Sequence, residues 1–391
     1  ENSSERILGQ RMMSVAFEWH NYGKSTIGNR TDIERVPVDR LRSFYKKYYR
    51  PDNCMVIVAG KFESDRALTA IVKSFGPLKN PIEPLENTYT EEPVQDGERS
   101  VVLKRSGGAP IAGAVYHVPA GSHPDFAAVE VLATALADEP SGPLYKAMVK
   151  GKLASDVSSF AFSWHDPGAL ELEASIEKSA DPAKALDVLR STLDEVQSKG
   201  IDEADVSRAK AQLIKSRELQ MADSNRIGVA LSDWASKGDW RLFFLHRDRL
   251  EKVSPTDVRR VAGLYLRPSN RTTGLYLPDP SPQRAEIPKV ADLALTLKDY
   301  KGREALAAGQ FFDPTWDNIK AATKVVSRGG KAVAMLLPRK TRNEQVSLQL
   351  TLRYGNPQSL VGRNAAAQIL PTLLRSGTNG KDRQQIEDAL N

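Results

Sequence analysis

The chain has 391 residues, 40% of them hydrophobic and 27% charged, a balance that supports buried cores and excludes a broadly disordered or low-complexity protein. Its 55 Lys and Arg against 49 Asp and Glu give a formal net charge of +6, small for this length and scattered along predicted helices, so no nucleic-acid-binding surface is indicated. No apolar run reaches the roughly 18 residues of a membrane helix, and no membrane span is predicted.

A Ser3/Ser4 cap opens a predicted helix over residues 3–17, with Ile7, Leu8, Met12, Val15 and Ala16 on one face. Next comes EWHNYGKSTIG, whose Gly-Lys-Ser-Thr is the ending of many phosphate loops. Such a loop needs a glycine five positions before the Gly-Lys pair, and that position holds Glu18, whose carboxylate would repel an anion. No phosphate is expected. A helix follows, with Leu41, Phe44, Tyr45 and Tyr48 as its apolar stripe, ended by Pro51. The run CMVIVAG then reads as a strand, with Cys54, the single cysteine, buried in it. Another short helix is predicted around Ala67–Phe75. Pro77, Pro81, Pro84 and Pro93 among acidic residues mark a linker.

From Ser100 the pattern restarts. VVLKR and PIAGAVYHV read as strands, DFAAVEVLATALA as a helix, the stretch near 157–175 as further strands, and 181 to about 237 as long helices. A third restart follows the Pro- and charge-rich span 278–318, with KAVAMLLP and VSLQLTLRYGN as strands and RNAAAQILPTLLRSG and RQQIEDALN as helices.

An internal repeat orders these segments. Without gaps, IERVPVDRLRSFYKKYYRPDN (33–53) matches LEKVSPTDVRRVAGLYLRPSN (250–270): Glu34 meets Glu251, Arg42 meets Arg259, Tyr48 meets Tyr265, Arg50 meets Arg267, Pro51 meets Pro268 and Asn53 meets Asn270. Both copies lead into a strand-like run, so one helix, turn and closing strand ends two successive domains. The expected organisation is the C-terminal part of a first domain (1–80), a linker (81–97), a complete second domain (98–278), a linker (279–318) and the N-terminal part of a third domain (319–391). Each is expected to be α+β, with helices on one face of a largely antiparallel sheet.

The stretch HNYGKSTIGNRTDIERVPVDRLRSFYKKYYRPDNCMVIVAGKF resembles the His-Pro-Tyr-Gly-Arg-Ser-Thr-Ile-Gly segment, following helix, Pro-x-Asn turn and closing strand of the pitrilysin/insulinase family of zinc metallopeptidases. Asn21 and Lys24 depart from the family's proline and arginine. SGPLYKAMVKGKLASDVSS and LRYGNPQSLVGRNAAAQILPTLLRSGT are similar to two further segments of that family. The resemblance implies repeated two-layer domains of the mitochondrial-processing-peptidase-like metallohydrolase fold, two similar halves closing around a peptide, and peptide-bond hydrolysis at zinc held by His-x-x-Glu-His and a distant glutamate.

Carried over residue by residue, the resemblance places Gln368, Pro371 and Thr372 where an active copy has its two histidines and catalytic glutamate, and none of these side chains can do that work. The working copy is expected upstream of Glu1, and Glu1 itself is expected to be the acidic residue after the third ligand. The family's substrate-binding arginine and tyrosine fall at about Val149 and Ser155, so that pair is lacking. His20 reads as an anchor of its turn, His165-Asp166-Pro167-Gly168 as a turn, and His117, His123 and His246 as dispersed, so no second metal is expected. The expectation is therefore a portion of a zinc endopeptidase with zinc in the parent protein and none in these residues, no catalytic residue in the chain, peptide substrates and the other half of the same polypeptide as partners, and a bacterial periplasmic location. The alternative is a non-catalytic family member acting as a scaffold or partner subunit.

Overall fold

The computed structural model describes residues 3–290, 292–303, 307–329, 332–374 and 376–390. They fall into two units, divided between Ala285 and Glu286. In the first, helices α1 (Ser4–Ala16), α2 (Arg30–Arg35), α3 (Val38–Tyr48) and α4 (Ser64–Phe75) precede a five-stranded sheet. Its strands are β1 (Arg99–Arg105), β2 (Ile111–Val118), β3 (Ala154–Ala161), β4 (Gly168–Ile176) and β5 (Arg271–Pro278), in the order β1-β5-β2-β4-β3. Only the β1/β5 pair is parallel; β2 is antiparallel to β5 and β4, and β4 to β3. The α+β class read from the sequence is the class observed.

The helices α5 (Phe126–Ala137), α6 (Pro182–Lys199), α7 (Glu203–Ala222), α8 (Ser224–Ala235), α9 (Leu242–Lys252) and α10 (Pro255–Tyr265) complete this unit. The main core joins Ala112, Ala114 and Tyr116 of β2 and Leu170, Leu172 and Ala174 of β4 to Leu132 and Leu136 of α5, Leu189 and Leu193 of α6 and Val258 and Val261 of α10. Period-two alternation sends these strand residues to one face and their neighbours to the other. Ser254 and Asp257 form a reciprocal capping box at the start of α10, satisfying amides that the first helical turn leaves unbonded.

A second, smaller core covers the opposite face. Leu8, Met12 and Ala16, four apart and so on one stripe of α1, bury themselves with Phe17 against Ile111, Val115, Ala169 and Tyr276. Leu8 and Met12 have no exposed surface, and burying each contributes about 1.5–3 kcal/mol. The Ser3 hydroxyl accepts the Arg6 amide at 3.2 Å, capping α1. Two sheet glycines admit the helix. A Cβ at Gly274 would lie 2.5 Å from Met12 Sδ, and one at Gly113 would lie 2.6 Å from Met12 Cε. Helices thus flank both faces, where the sequence pattern assigned them to one.

The repeat is reproduced in stereochemistry. After α3 the turn Pro51–Asn53 lets Asn53 Nδ2 donate to Tyr48 O at 2.9 Å; after α10 the turn Pro268–Asn270 lets Asn270 Nδ2 donate to Tyr265 O at 2.8 Å. The copies then diverge. Residues 271–278 form β5 between two neighbours, whereas residues 54–59 are assigned to no strand, and Cys54 is exposed. The expectations of a strand there and of a buried thiol are corrected: a closing strand needs a ladder partner, and β1 and β2 flank only the second copy.

The second unit contains α11 (Leu293–Leu297), α12 (Trp316–Ala322), the antiparallel hairpin β6 (Lys324–Arg328) with β7 (Ala332–Leu336), α13 (Asn364–Leu373), the short pair β8 (Gly377–Thr378) and β9 (Lys381–Asp382), and α14 (Arg383–Leu390). The predicted strand over VSLQLTLRYGN is not formed. Its residues alternate correctly but have no ladder, and Val346, Leu348 and Leu350 are exposed.

Candidate functional site

The segment with the most specific sequence pattern folds as a clamp at the end of α1. Past Phe17 the backbone amides of Glu18, Trp19 and His20 all donate to the Glu92 carboxylate, at 2.9, 2.9 and 2.8 Å. Converging amides of this kind make an anion site, and the anion is a side chain of the predicted linker. His20 Nδ1 then accepts the Tyr22 amide at 3.1 Å, and its Nε2 lies 3.2 Å from Asp166 Oδ2. The Asp166 amide donates to the Tyr22 hydroxyl at 3.2 Å. Burial, opposed by that amide, raises the Tyr22 pKa. His20 is the anchor of its turn, as read from the sequence. A Cβ at Gly23 would fall 2.2 Å from Phe17 O, so the glycine of Gly-Lys-Ser-Thr permits a close backbone crossing.

Aromatic rings continue from the clamp. Tyr22 packs 4.3 Å from Trp164, which stacks 4.8 Å from Phe162, and Phe17 meets His117 edge-on at 4.6 Å. His117 Nδ1 lies 3.2 Å from Asn270 Oδ1, and burial lowers the pKa of its imidazole. The remaining histidines are apart. His123 accepts the Asp125 amide, His165 is exposed beside Asp166 in a bend, and His246 is buried on α9 near Glu130, its pKa pushed down to about 3 by burial and by Arg217. Val149 lies in a helical turn over Tyr145–Lys150, and Ser155 is exposed with its hydroxyl on Ser175 O.

In the second unit, Gln368, Pro371 and Thr372 lie on α13 with exposed side chains. Spacings of three and four residues place them on one side of a helix, as a His-x-x-Glu-His pattern requires. Their chemistry departs from it: an amide, a ring without a donor and a hydroxyl present no imidazole or carboxylate. Pro371 also deprives Ala367 O of its helical partner, and the Tyr354 hydroxyl donates to that carbonyl at 2.5 Å. Among the described residues no group of three or more His, Cys, Asp or Glu side chains is placed to hold a metal ion. The donor set therefore does not fit zinc. Glu1 lies outside the described residues.

Sequence reasoning passed over Glu92 and, on β4, Glu171 and Glu173, and read Asp166 only as part of a turn, whereas Glu92 and Asp166 hold the clamp. A proline-rich acidic linker gives no sign that one of its carboxylates caps a distant loop. The Leu-Glu alternation in GALELEASI was a signal for β4, since both sets of side chains are covered.

Comparison with known proteins decides the relationship. A family profile described as "Peptidase M16 inactive domain" matches residues 35–213. The zinc protease PqqE of Helicobacter pylori is 25% identical over 281 residues, 71% of this chain and 63% of its own length. The crystal structure of a protease from the same organism superposes with a TM-score of 0.66 at 25% identity, covering 71% of this chain and 68% of that one. This chain belongs to the pitrilysin/insulinase family, peptidase M16. A zinc protease of Streptomyces coelicolor, described as uncharacterized, is 29% identical over 254 residues, 61% of this chain and 53% of its own length. The chain thus spans between half and two thirds of the curated relatives first matched.

Proposed function

We propose that these residues are the non-metal-bearing portion of a zinc-dependent endopeptidase, which shapes and closes a peptide-holding chamber whose metal site is supplied by polypeptide outside them. The observation that carries the reading is α13: in a chain of a zinc-protease family it keeps the spacing of the metal helix and carries Gln368, Pro371 and Thr372 in place of donors. The match to the family's inactive domain supports the same division of labour.

The exposed apolar stripe of α3 supports it from the other direction. Leu41, Phe44, Tyr45 and Tyr48 are exposed by 53%, 58%, 60% and 37%, whereas their repeat counterpart α10 buries Val258, Val261 and Ala262 against α5 and α6. A stripe of this size is a contact surface. In this reading it meets a second α+β domain of the parent protein built like residues 99–278. The periplasmic location goes with the proposal and is checked by fractionation of the native cell.

The test is metal analysis with a quenched-fluorescence peptide assay on the 391-residue chain. The reading predicts zinc well below one equivalent and no cleavage, and activity in the parent polypeptide. A parent protein that is intact, folded and inactive with zinc present would instead favour the scaffold reading.

A further inference from the structure

On the sheet face that α1 covers, the helix backbone meets two carboxylates of β4 that form no part of the clamp. Alternation along β4 puts Glu171 and Glu173 on the face shared with Ala169, which α1 covers. A Cβ built on Gly9 would stand 2.5 Å from Glu171 Oε1 and 3.6 Å from Glu173 Oε1. Both side chains are partly buried, and Glu173 Oε1 has no hydrogen-bond partner among the described residues.

Among the described residues the surroundings offer them no counter-charge. On α1, Glu5 adds a like charge, while Arg6 and Arg11 are exposed. On β3, Phe160 lies opposite Glu171 and Ser158 opposite Glu173, with Asp156 exposed further along. On β2 the opposite residues are Val115 and Gly113; His117 lies at the far end against Phe17. On β5 the Tyr276 hydroxyl is spent on Gly107 O. On β1 Arg99 is engaged by Val15 O, Ala16 O and the Glu18 carboxylate. Two neighbouring carboxylates in such a place cannot both ionise without cost.

We propose that α1 is held to the sheet by a proton-dependent clasp: the helix lies flat while the Glu171/Glu173 pair keeps a proton, and lifts when both carboxylates ionise. Burial, Glu171 and Glu5 together push Glu173 up to about 8, and burial raises Glu171. For an acid whose pKa rises on folding, the native state binds the extra proton. Its stabilising contribution is complete below the ordinary carboxylate range and is lost as the pH climbs through about 8. His117, lowered by burial, charges only in acid and acts at the opposite end of the range.

Amide hydrogen exchange on the whole chain tests this, with α1 read against α5, which lies on the other face. After correction for intrinsic rates, the opening constant of α1 is expected to rise about a hundredfold between pH 5.5 and 8, with α5 unchanged. Glu173→Gln, which cannot ionise, should flatten that rise to within about threefold. Glu171→Gln is the second variant, should the first fail to fold; removing the like charge should cut the rise to about tenfold or less. A wild-type α1 whose opening ignores pH, an equal rise in α5, or a rise that survives both variants would overturn the clasp.

Discussion

The packing of α1 rests on two glycines, and Gly274→Ala tests it sharply. The added methyl would lie 2.5 Å from Met12 Sδ, 2.6 Å from Met12 Cγ and 2.9 Å from Leu8 Cδ1. Carbon contacts are comfortable near 3.5–4.0 Å, so the overlap is about 1 Å, and Leu8 is buried with no room to retreat. Overpacking of this kind costs about 1–3 kcal/mol, and the better strand propensity of alanine returns about 0.5–1. A net loss of about 1–2 kcal/mol is expected, read from urea-dependent amide exchange in β5. Met12→Ala alone should cost about 2–5 kcal/mol by leaving a cavity. In the double variant the alanine methyl enters that cavity, and the two losses should fall short of additive by about 1 kcal/mol or more. Strict additivity would refute direct contact between α1 and the sheet.

Three further outcomes follow from single side chains. Arg271→Met removes the guanidinium that meets Glu98 and Asp194 at 3.1 and 2.7 Å; because Glu98 keeps Arg190 at 3.1 Å and Asp194 retains solvent, the loss in urea stability should be about 1–2 kcal/mol. Pro371→Ala restores the amide that Ala367 O lacks and should raise the helicity of α13 by circular dichroism, while Tyr354→Phe in the wild-type background removes that carbonyl's partner and should weaken α13 by about 1 kcal/mol. His20→Phe keeps the ring and loses both nitrogens, so exchange of the Tyr22 and Asp166 amides should accelerate with a local cost of about 1–2 kcal/mol and no change in metal content.

Much of the sheet and helices over residues 99–278 was legible because their signals are local and agree with one another. The apolar run of β2 and the Pro-x-Asn turn each point to one conformation. The matched Asn53 and Asn270 bonds show that the repeat carried geometric information. What failed was dependence on a neighbour: CMVIVAG and VSLQLTLRYGN have strand patterns, yet a strand forms only beside another. The positions of Gln368, Pro371 and Thr372 came from the family resemblance, and their side chains lack the imidazole and carboxylate donors that zinc demands. The clamp was half legible. His20 stood out, while Glu92 and Asp166 reach it from 72 and 146 residues away, and a single sequence carries no mark of such pairings.

Zinc stoichiometry bears most directly on the central claim that these residues lack the metal site of their family. The 391-residue chain, purified without chelator and dialysed against micromolar zinc, should retain far less than one ion per chain and leave quenched peptides intact. One tightly held zinc ion per chain, accompanied by peptide cleavage that a chelator abolishes, would contradict the account.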